Sequence, residues 1–216
     1  MKIKGAIFDV DGTLLDSMYI WDSIGEEYLR SMHIEPKEGL KERLNNMSLY
    51  EAAVYYKSEY GITLPEQEIM DGVNKMIEDK YRYEAVCKEG TEDFLRKLKE
   101  KNVRMCIATA TDTYLIEMAL KRNNIDGYFD EIFTCTSVGC GKTKPLIYER
   151  ALEFLNTDKA ETVVFEDSLY AARTAKEAGF VVAAVYDRFE KSREELKELS
   201  DYYFNDFKEA ESLFKQ

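Results

Sequence analysis

The chain carries a single histidine, His33, among 216 residues. Hydrolytic triads, phosphohistidine enzymes and multi-histidine zinc sites each need imidazole at a defined place, and one His near the end of a helical stretch reads as a solvated residue. Acid–base chemistry must then come from carboxylates, lysines or tyrosines. Positive charge is also short: 30 Lys and Arg stand against 42 Asp and Glu, a formal net charge of −12. That balance excludes nucleic acid as the expected partner, since a polyanion is bound by clustered cations, and disfavours an anionic membrane surface. No apolar run nears the roughly 20 residues that cross a bilayer. The opening strand-like stretch is too short and too early for a signal peptide, so the cytoplasm is the expected location. Cysteine is sparse: Cys87, Cys106, Cys135 and Cys140 form no CxxC pair, and Cys106 sits in an apolar run as a small core residue. All four are expected to be reduced thiols.

What is present suffices for a packed core. Hydrophobic residues make up 45% and charged residues 33%, which excludes disorder. The length suits one core domain, at roughly 150 residues per domain, with a modest insertion. The stretch over 2–8 ends in a wholly apolar run and breaks at Asp9-Val10-Asp11-Gly12, a buried strand followed by a glycine turn. From about 17 to 85 apolar residues recur at helical spacing (Tyr19, Trp21, Ile24, Tyr28, Leu29, then Ala52, Ala53, Tyr56, Tyr60), punctuated at Pro36, Gly61 and Pro65. This block predicts about four helices and no strand.

After Gly90 strands and helices alternate. Helices are predicted over 91–101 (capped by Thr91), 112–123, 146–155 and 169–178, and strands over 103–108, 132–134, 162–165 and 181–185. The alternation implies right-handed crossovers, a parallel sheet and a Rossmann-like three-layer α/β core. In such sheets ligands sit beyond the carboxyl ends of the strands. Those ends carry Asp9 and Asp11, then Thr109, then 135–142 with Lys142, then Glu166 and Asp167.

These residue types suit phosphate-ester cleavage. A carboxylate attacks phosphorus only if a cation suppresses the repulsion between two anions. Mg²⁺ favours a few carboxylates plus a backbone oxygen, water and the substrate phosphate, and Asp9, Glu166 and Asp167 supply such ligands. Thr109 offers a hydroxyl and Lys142 a compact positive charge to the equatorial phosphoryl oxygens. Asp11, two residues past Asp9 on an extended backbone, can reach the same cavity, protonate the leaving group and then activate water.

The strings FDVDGTLLDS (8–17), MCIATAT (105–111), GKTKPLIY (141–148) and VVFEDSLYAARTAKEAG (163–179) resemble, in order, the four motifs of the haloacid dehalogenase superfamily in its phosphatase form. The nearest branch looks like the β-phosphoglucomutase-like and phosphoglycolate-phosphatase-like group. The resemblance covers essentially the whole chain. It implies an α/β core over 1–16 and 87–216 with an all-α cap inserted over 17–86. It implies Asp9 as nucleophile and metal ligand, and Asp11 as general acid/base and metal ligand through its carbonyl. Thr109 and Lys142 would hold the phosphoryl group, and Glu166 and Asp167 would complete the magnesium shell. Thr111 and Lys144 are the competing candidates. Thr109 follows the apolar run directly, and the family's lysine lies three residues before a proline, here Pro145, which selects Lys142.

Taken singly, each signal has a plainer reading. A DxD is common in turns, and Glu166-Asp167-Ser168 suits any helix start, where acids favour the dipole. Their joint occurrence at strand ends is what argues for a site. The aromatics of the helical block are read as its own core, with Trp21 having the best claim to a substrate. A phosphosugar mutase is the nearest rival function. At the cap positions where β-phosphoglucomutases carry His and Arg, this chain reads Met18-Tyr19-Ile20-Trp21 and Met47-Ser48-Leu49-Tyr50. A phosphoacceptor or binding protein on the same scaffold is the non-enzymatic alternative. The expectation is a Mg²⁺-dependent phosphatase of a small phosphorylated metabolite, with a monomer as the default state. Hinges are expected at Asp16-Ser17 and Lys88-Glu89-Gly90.

Overall fold

The structure is a computed structural model describing residues 3–45 and 47–214. Of the strand expected over 2–8, Lys2 lies outside the described residues. In chain order the elements are β1 (Gly5–Phe8), β2 (Leu15–Asp16), α1 (Met18–Ser31), α2 (Leu40–Leu44), α3 (Leu49–Tyr60), α4 (Glu66–Tyr83) and β3 (Val86–Cys87). Then follow α5 (Thr91–Glu100), β4 (Arg104–Thr109), α6 (Thr113–Arg122), β5 (Ile132–Thr134), α7 (Cys135–Val138) and α8 (Leu146–Leu155). The last are β6 (Thr162–Glu166), α9 (Leu169–Glu177), β7 (Val181–Val185), α10 (Arg193–Leu199), β8 (Tyr202–Phe204) and α11 (Phe207–Ala210).

Six strands form one sheet in the order β5-β4-β1-β6-β7-β8, every neighbouring pair parallel. Because side chains alternate across a strand, each central strand feeds two layers. Phe8, Ile107, Phe165 and Val185 pack with Phe94 and Leu95 of α5 and Leu115 and Ile116 of α6. Ile7, Cys106, Val164 and Val182 pack on the other face with Ile147 of α8, Ala172 of α9 and Leu196 of α10. Apolar residues on both faces are the reason these strands read as continuous hydrophobic runs. The first face is knitted by aromatic rings: Phe8 stacks on Phe165 with centroids 4.4 Å apart, and Phe94 meets Phe207 at 5.2 Å. The chain leaves β1 toward β4 and leaves β6 toward β7, so the sheet order reverses at the β1/β6 crevice. Ligands gather at such a switch point.

Between β2 and β3 the chain makes the helices α1 to α4. A capping box starts α3: the Ser48 hydroxyl accepts from Glu51 N and the Glu51 carboxylate accepts from Ser48 N. Gly61, at φ 67°, ends it. In α4 the stripe Ile69, Val73, Ile77 and Tyr81 is buried, at the four-residue spacing that lines one helix face. These side chains join the cluster on the α5/α6 face of the sheet. An inserted all-α block on a parallel sheet is therefore present.

Several features were not visible in the sequence. The two chain crossings pair as an antiparallel ribbon, Leu15 opposite Cys87 and Asp16 opposite Val86. At two residues each, these strands carry no period. β8 and α11 close the far edge in a stretch for which no element had been expected. The cap of α5 is a correction. Gly90 is the N-cap at φ 81°, and Thr91 is the first helical residue, its hydroxyl donating to Lys88 O at 2.8 Å. The positive φ favours glycine here, and a Cβ would meet the backbone of Lys208 at 2.6 Å.

His33 is exposed, past the end of α1, and all four cysteines are free. Among the described residues no helix is long and apolar enough to cross a membrane.

Candidate active site

The end of β1 turns sharply. Thr13 N and Leu15 N both donate to Val10 O, at 3.2 and 2.9 Å, and Gly12 adopts φ 81°. A Cβ on Gly12 would run into the Asp167 carboxylate, so the glycine permits the strand ends of β1 and β6 to approach. Asp9 N donates to Phe165 O at 3.0 Å, which ties the residue after β1 to the end of β6.

Asp9, Glu166 and Asp167 come together here, with one carboxylate oxygen from each lying within 4.8 Å of the others. All three are buried. Lys142, from the loop between α7 and α8, enters the same cluster. Its Nζ lies 2.5 Å from Asp9 Oδ1 and 2.6 Å from Glu166 Oε1, and the side chain is 3% exposed. Tyr148 of α8 donates to Glu166 Oε1 at 2.8 Å, and Thr13 donates to Asp167 Oδ1 at 3.3 Å.

The charges do not balance, and the acid strengths reflect it. Burial pushes Glu166 up to about 7, against the pull of Lys142. Asp167 is raised well above its usual range by burial and then by the charges of Asp9 and Glu166. Burial alone would weaken Lys142 as a base, but Asp9 and Glu166 outweigh it and hold the ammonium charged. The ion pair of half-buried Lys88 with buried Asp187, 3.0 Å apart, adds no net charge beside Asp167. Three acidic oxygens facing one lysine make a donor set that fits a hard divalent cation such as Mg²⁺.

Asp11 stands in a different environment. Its Oδ1 accepts from Ser17 Oγ at 2.6 Å and from Tyr81 Oη at 2.6 Å, and its Oδ2 accepts from Thr111 Oγ1 at 2.7 Å. Trp21 Nε1 donates to Tyr81 Oη at 2.8 Å. Tyr81 has one proton, and with an oxygen lone pair held by the indole N–H, that proton points to Asp11. Burial raises Asp11 above the usual carboxylate range, while the three hydroxyls oppose the rise.

Thr109 ends β4, is buried, and accepts from Thr111 N at 3.2 Å through Oγ1. Lys144 is exposed. Asp9, Asp11, Thr109, Lys142, Glu166 and Asp167 all line one cleft of about 500 Å³. Trp21, the helical-block aromatic with the best claim to a substrate, also borders it, as does Tyr56, whose helical spacing predicts core. Sequence reasoning missed Ser17, Tyr81 and Tyr148 as parts of this network. Ser17 and Tyr148 fall inside the conspicuous strings at 8–17 and 141–148. Nothing marks Tyr81 beyond its place at the end of an apolar stripe.

Comparison with known proteins bears on this arrangement. The model of the haloacid dehalogenase-like hydrolase family matches residues 6–185. A phosphorylated carbohydrates phosphatase of Thermotoga maritima is 27% identical over 193 residues, 82% of each chain. The pyrophosphatase PpaX of Anoxybacillus flavithermus is 28% identical, covering 86% of this chain and 84% of its own. In fold, the crystal structure of CbbY from Rhodobacter sphaeroides with phosphate superposes with a TM-score of 0.82 at 23% identity, covering 95% of each chain. With a family model spanning most of its length, the chain belongs to the haloacid dehalogenase-like hydrolases.

Proposed function

We propose that this hydrolase of phosphate esters is a Mg²⁺-dependent phosphatase that passes through an aspartyl phosphate on Asp9. The observation that carries the proposal is the unequal setting of two aspartates in one cleft. Asp9 is ion-paired to Lys142 within a three-acid cluster, whereas Asp11 takes three hydroxyl donors. Two carboxylates with environments this different suit two roles, nucleophile and acid/base.

In the proposed reaction an Asp9 carboxylate oxygen attacks the phosphorus, and the bond to the ester oxygen breaks. The departing alkoxide takes the proton of Asp11. A water molecule then gives a proton to Asp11 and attacks the phosphorus, which frees Asp9 and inorganic phosphate. Lys142 neutralises charge on the phosphoryl oxygens, and the Thr109 hydroxyl donates to them. Asp9, Glu166, Asp167 and the Asp11 carbonyl are the groups that would hold Mg²⁺, which when bound lowers the repulsion between substrate and acids. The relative named for phosphorylated carbohydrates supports phosphate-ester cleavage, and the one named for pyrophosphate supports transfer of a phosphoryl group to water.

The proposal extends to the division of the chain, with 17–86 as a cap over a core of 1–16 and 87–216. Motion about the β2–β3 ribbon would open and close the cleft. Contacts between 17–86 and the rest of the chain fit that reading: Lys191 meets Glu42 at 3.0 Å, and Asn74 of α4 donates to Asp112 at 2.5 Å. Mutase chemistry is disfavoured because Met18, Trp21, Met47 and Leu49 border the cleft, in the segments where a mutase of the β-phosphoglucomutase type would carry His and Arg.

The test is phosphate release from an aryl phosphate, with Mg²⁺ or with EDTA, for the wild type and Asp9→Asn. Release is expected only from the wild type with Mg²⁺. Equal release by Asp9→Asn would sink the mechanism.

A further inference from the structure

The phosphoryl end of the cleft is fixed by Lys142 and the acids, so the alcohol portion of a substrate must lie against the helical side. The half-buried side chains there are Met18, Trp21, Leu44, Met47 and Leu49. The two aromatics on this wall turn their polar atoms away. Trp21 Nε1 is bound to Tyr81 Oη at 2.8 Å, and Tyr56 Oη donates to Gly25 O at 3.1 Å. What the half-buried Trp21 offers a ligand is ring surface, while Tyr56 is buried and backs the wall.

The charged side chains around this wall are already engaged. Lys41 pairs with Asp22, and Glu26 with Arg30 at 3.0 Å. Lys191 pairs with Glu42 at 3.0 Å, and Arg173 with Glu195. Glu190 accepts from the backbone N–H of Leu169 at 2.9 Å and of Ser192 at 2.6 Å. Among the described lining residues other than Asp9, Asp11, Lys142, Glu166 and Asp167, four acids (Asp22, Glu26, Glu42, Glu190) face three cations (Lys41, Arg173, Lys191), so this side offers no surplus of positive charge to a second phosphate. The volume of about 500 Å³ falls within the roughly 300–1,000 Å³ of sites that take whole organic molecules.

From this wall we infer that the preferred substrate is a monophosphate ester of a neutral alcohol with an apolar or aromatic body, in preference to a bisphosphate, pyrophosphate or a small polyol phosphate. The inference rests on the phosphatase reading and narrows it. It also separates this chain from the relatives named for pyrophosphate and phosphorylated carbohydrates. Apolar area buried against the wall supplies the discrimination, and a second phosphate brought among the rim acids loses hydration without a cation in exchange.

The test compares kcat/KM for 3-phenylpropyl phosphate, glycerol 3-phosphate, fructose 1,6-bisphosphate and pyrophosphate, with Mg²⁺. The first two are both primary alkyl esters, so the comparison reads binding of the alcohol portion. 3-Phenylpropyl phosphate is expected to exceed each of the others by about tenfold or more, a discrimination that one apolar pocket contact can supply. Met47→Ala is expected to reduce the ratio of 3-phenylpropyl phosphate to glycerol 3-phosphate several-fold. Asp9-dependent release that favours glycerol 3-phosphate, the bisphosphate or pyrophosphate overturns the inference and leaves the phosphatase standing. No release from any ester, including the aryl phosphate, overturns both.

Discussion

Tyr81 and Asp11 are 70 residues apart in sequence, yet the Tyr81 hydroxyl donates to Asp11 Oδ1 at 2.6 Å. Tyr81 belongs to the inserted helix α4 and Asp11 to the turn after the first strand of the sheet. The proposed acid/base is thus held in part by the helical block, and a change in the position of that block must disturb it.

Tyr81→Phe removes a donor that favours the charged form of Asp11. The Asp11 pKa, already raised by burial, should therefore rise further. If Asp11 delivers a proton in the first half-reaction, the alkaline limb of the kcat/KM profile moves to higher pH, and kcat falls more than KM changes. The substitution also strands Trp21 Nε1, at about 1–3 kcal/mol of stability. A limb that stays in place would remove Asp11 from the role of acid.

The two lysines of the 141–148 string should separate cleanly. Lys142→Ala leaves Asp9 and Glu166 buried without their cation, which costs roughly 3–5 kcal/mol. It should also lower kcat by about two to three orders of magnitude, the usual loss on deleting a donor to the developing charge. Lys144 is exposed, and Lys144→Ala should stay within about 0.5 kcal/mol with activity unchanged. Denaturant melts and steady-state kinetics of both variants check this. Comparable losses in the two would mean that the wrong lysine has been assigned.

Without metal, stability should decline as pH rises. Glu166 is pushed up to about 7 in the folded protein from its ordinary 4.5, and Asp167 and Asp11 are raised as well. A raised acid binds its proton more tightly folded than unfolded. Its contribution is present below the unfolded value and is lost as pH climbs through the folded one. In EDTA the Tm should drop between pH 5 and 7.5, and Mg²⁺ should shrink that drop. A Tm in EDTA that rises steadily over this range would contradict the crowded-carboxylate picture.

Mg²⁺ should stabilise the protein in proportion to its occupancy. At one hundred times its Kd the gain is about 2.7 kcal/mol, which for a chain of this size is roughly 5–10 °C in Tm. Asp167→Asn should abolish most of that shift while the protein stays folded. Gly12→Ala should weaken it too, because the new methyl meets the Asp167 carboxylate at a backbone angle that disfavours any side chain. Calorimetric titration of the three proteins with Mg²⁺ reads the effect directly. Undiminished binding by Asp167→Asn would take that residue out of the metal shell.

Threonines 109 and 111 make a further pair. Thr109 Oγ1 accepts from Thr111 N, whereas the Thr111 hydroxyl donates to Asp11. Thr109→Val should raise KM and lower kcat about tenfold or more by removing a donor to the phosphoryl group. Thr111→Val should move the Asp11 limb of the pH profile instead. An exchange of these two phenotypes would reverse the roles.

The sequence by itself determined the sheet and the positions of its ends. Apolar runs such as Gly5-Ala6-Ile7-Phe8 and Thr162-Val163-Val164-Phe165 have to be buried on both faces, and burial on both faces in an alternating chain demands a parallel sheet between helices. The polar residues that stop those runs, Asp9, Thr109 and Glu166, then fall at strand ends by necessity. Their number and kind already suggested phosphate chemistry.

Only the tertiary structure decided what surrounds them. Hydrogen bonds from Tyr81 and Thr111 to Asp11 span 70 and 100 residues, and no local pattern encodes which hydroxyl a distant carboxylate meets. The β2–β3 ribbon is too short to show a period, yet it pairs the two crossings of the chain. Whether Trp21 faces core or cleft was likewise open, since helical spacing groups residues on one face without saying what that face touches. Burial is a property of composition and period, and these a sequence displays; partnership depends on the packing of one element against another, and that exists only in three dimensions.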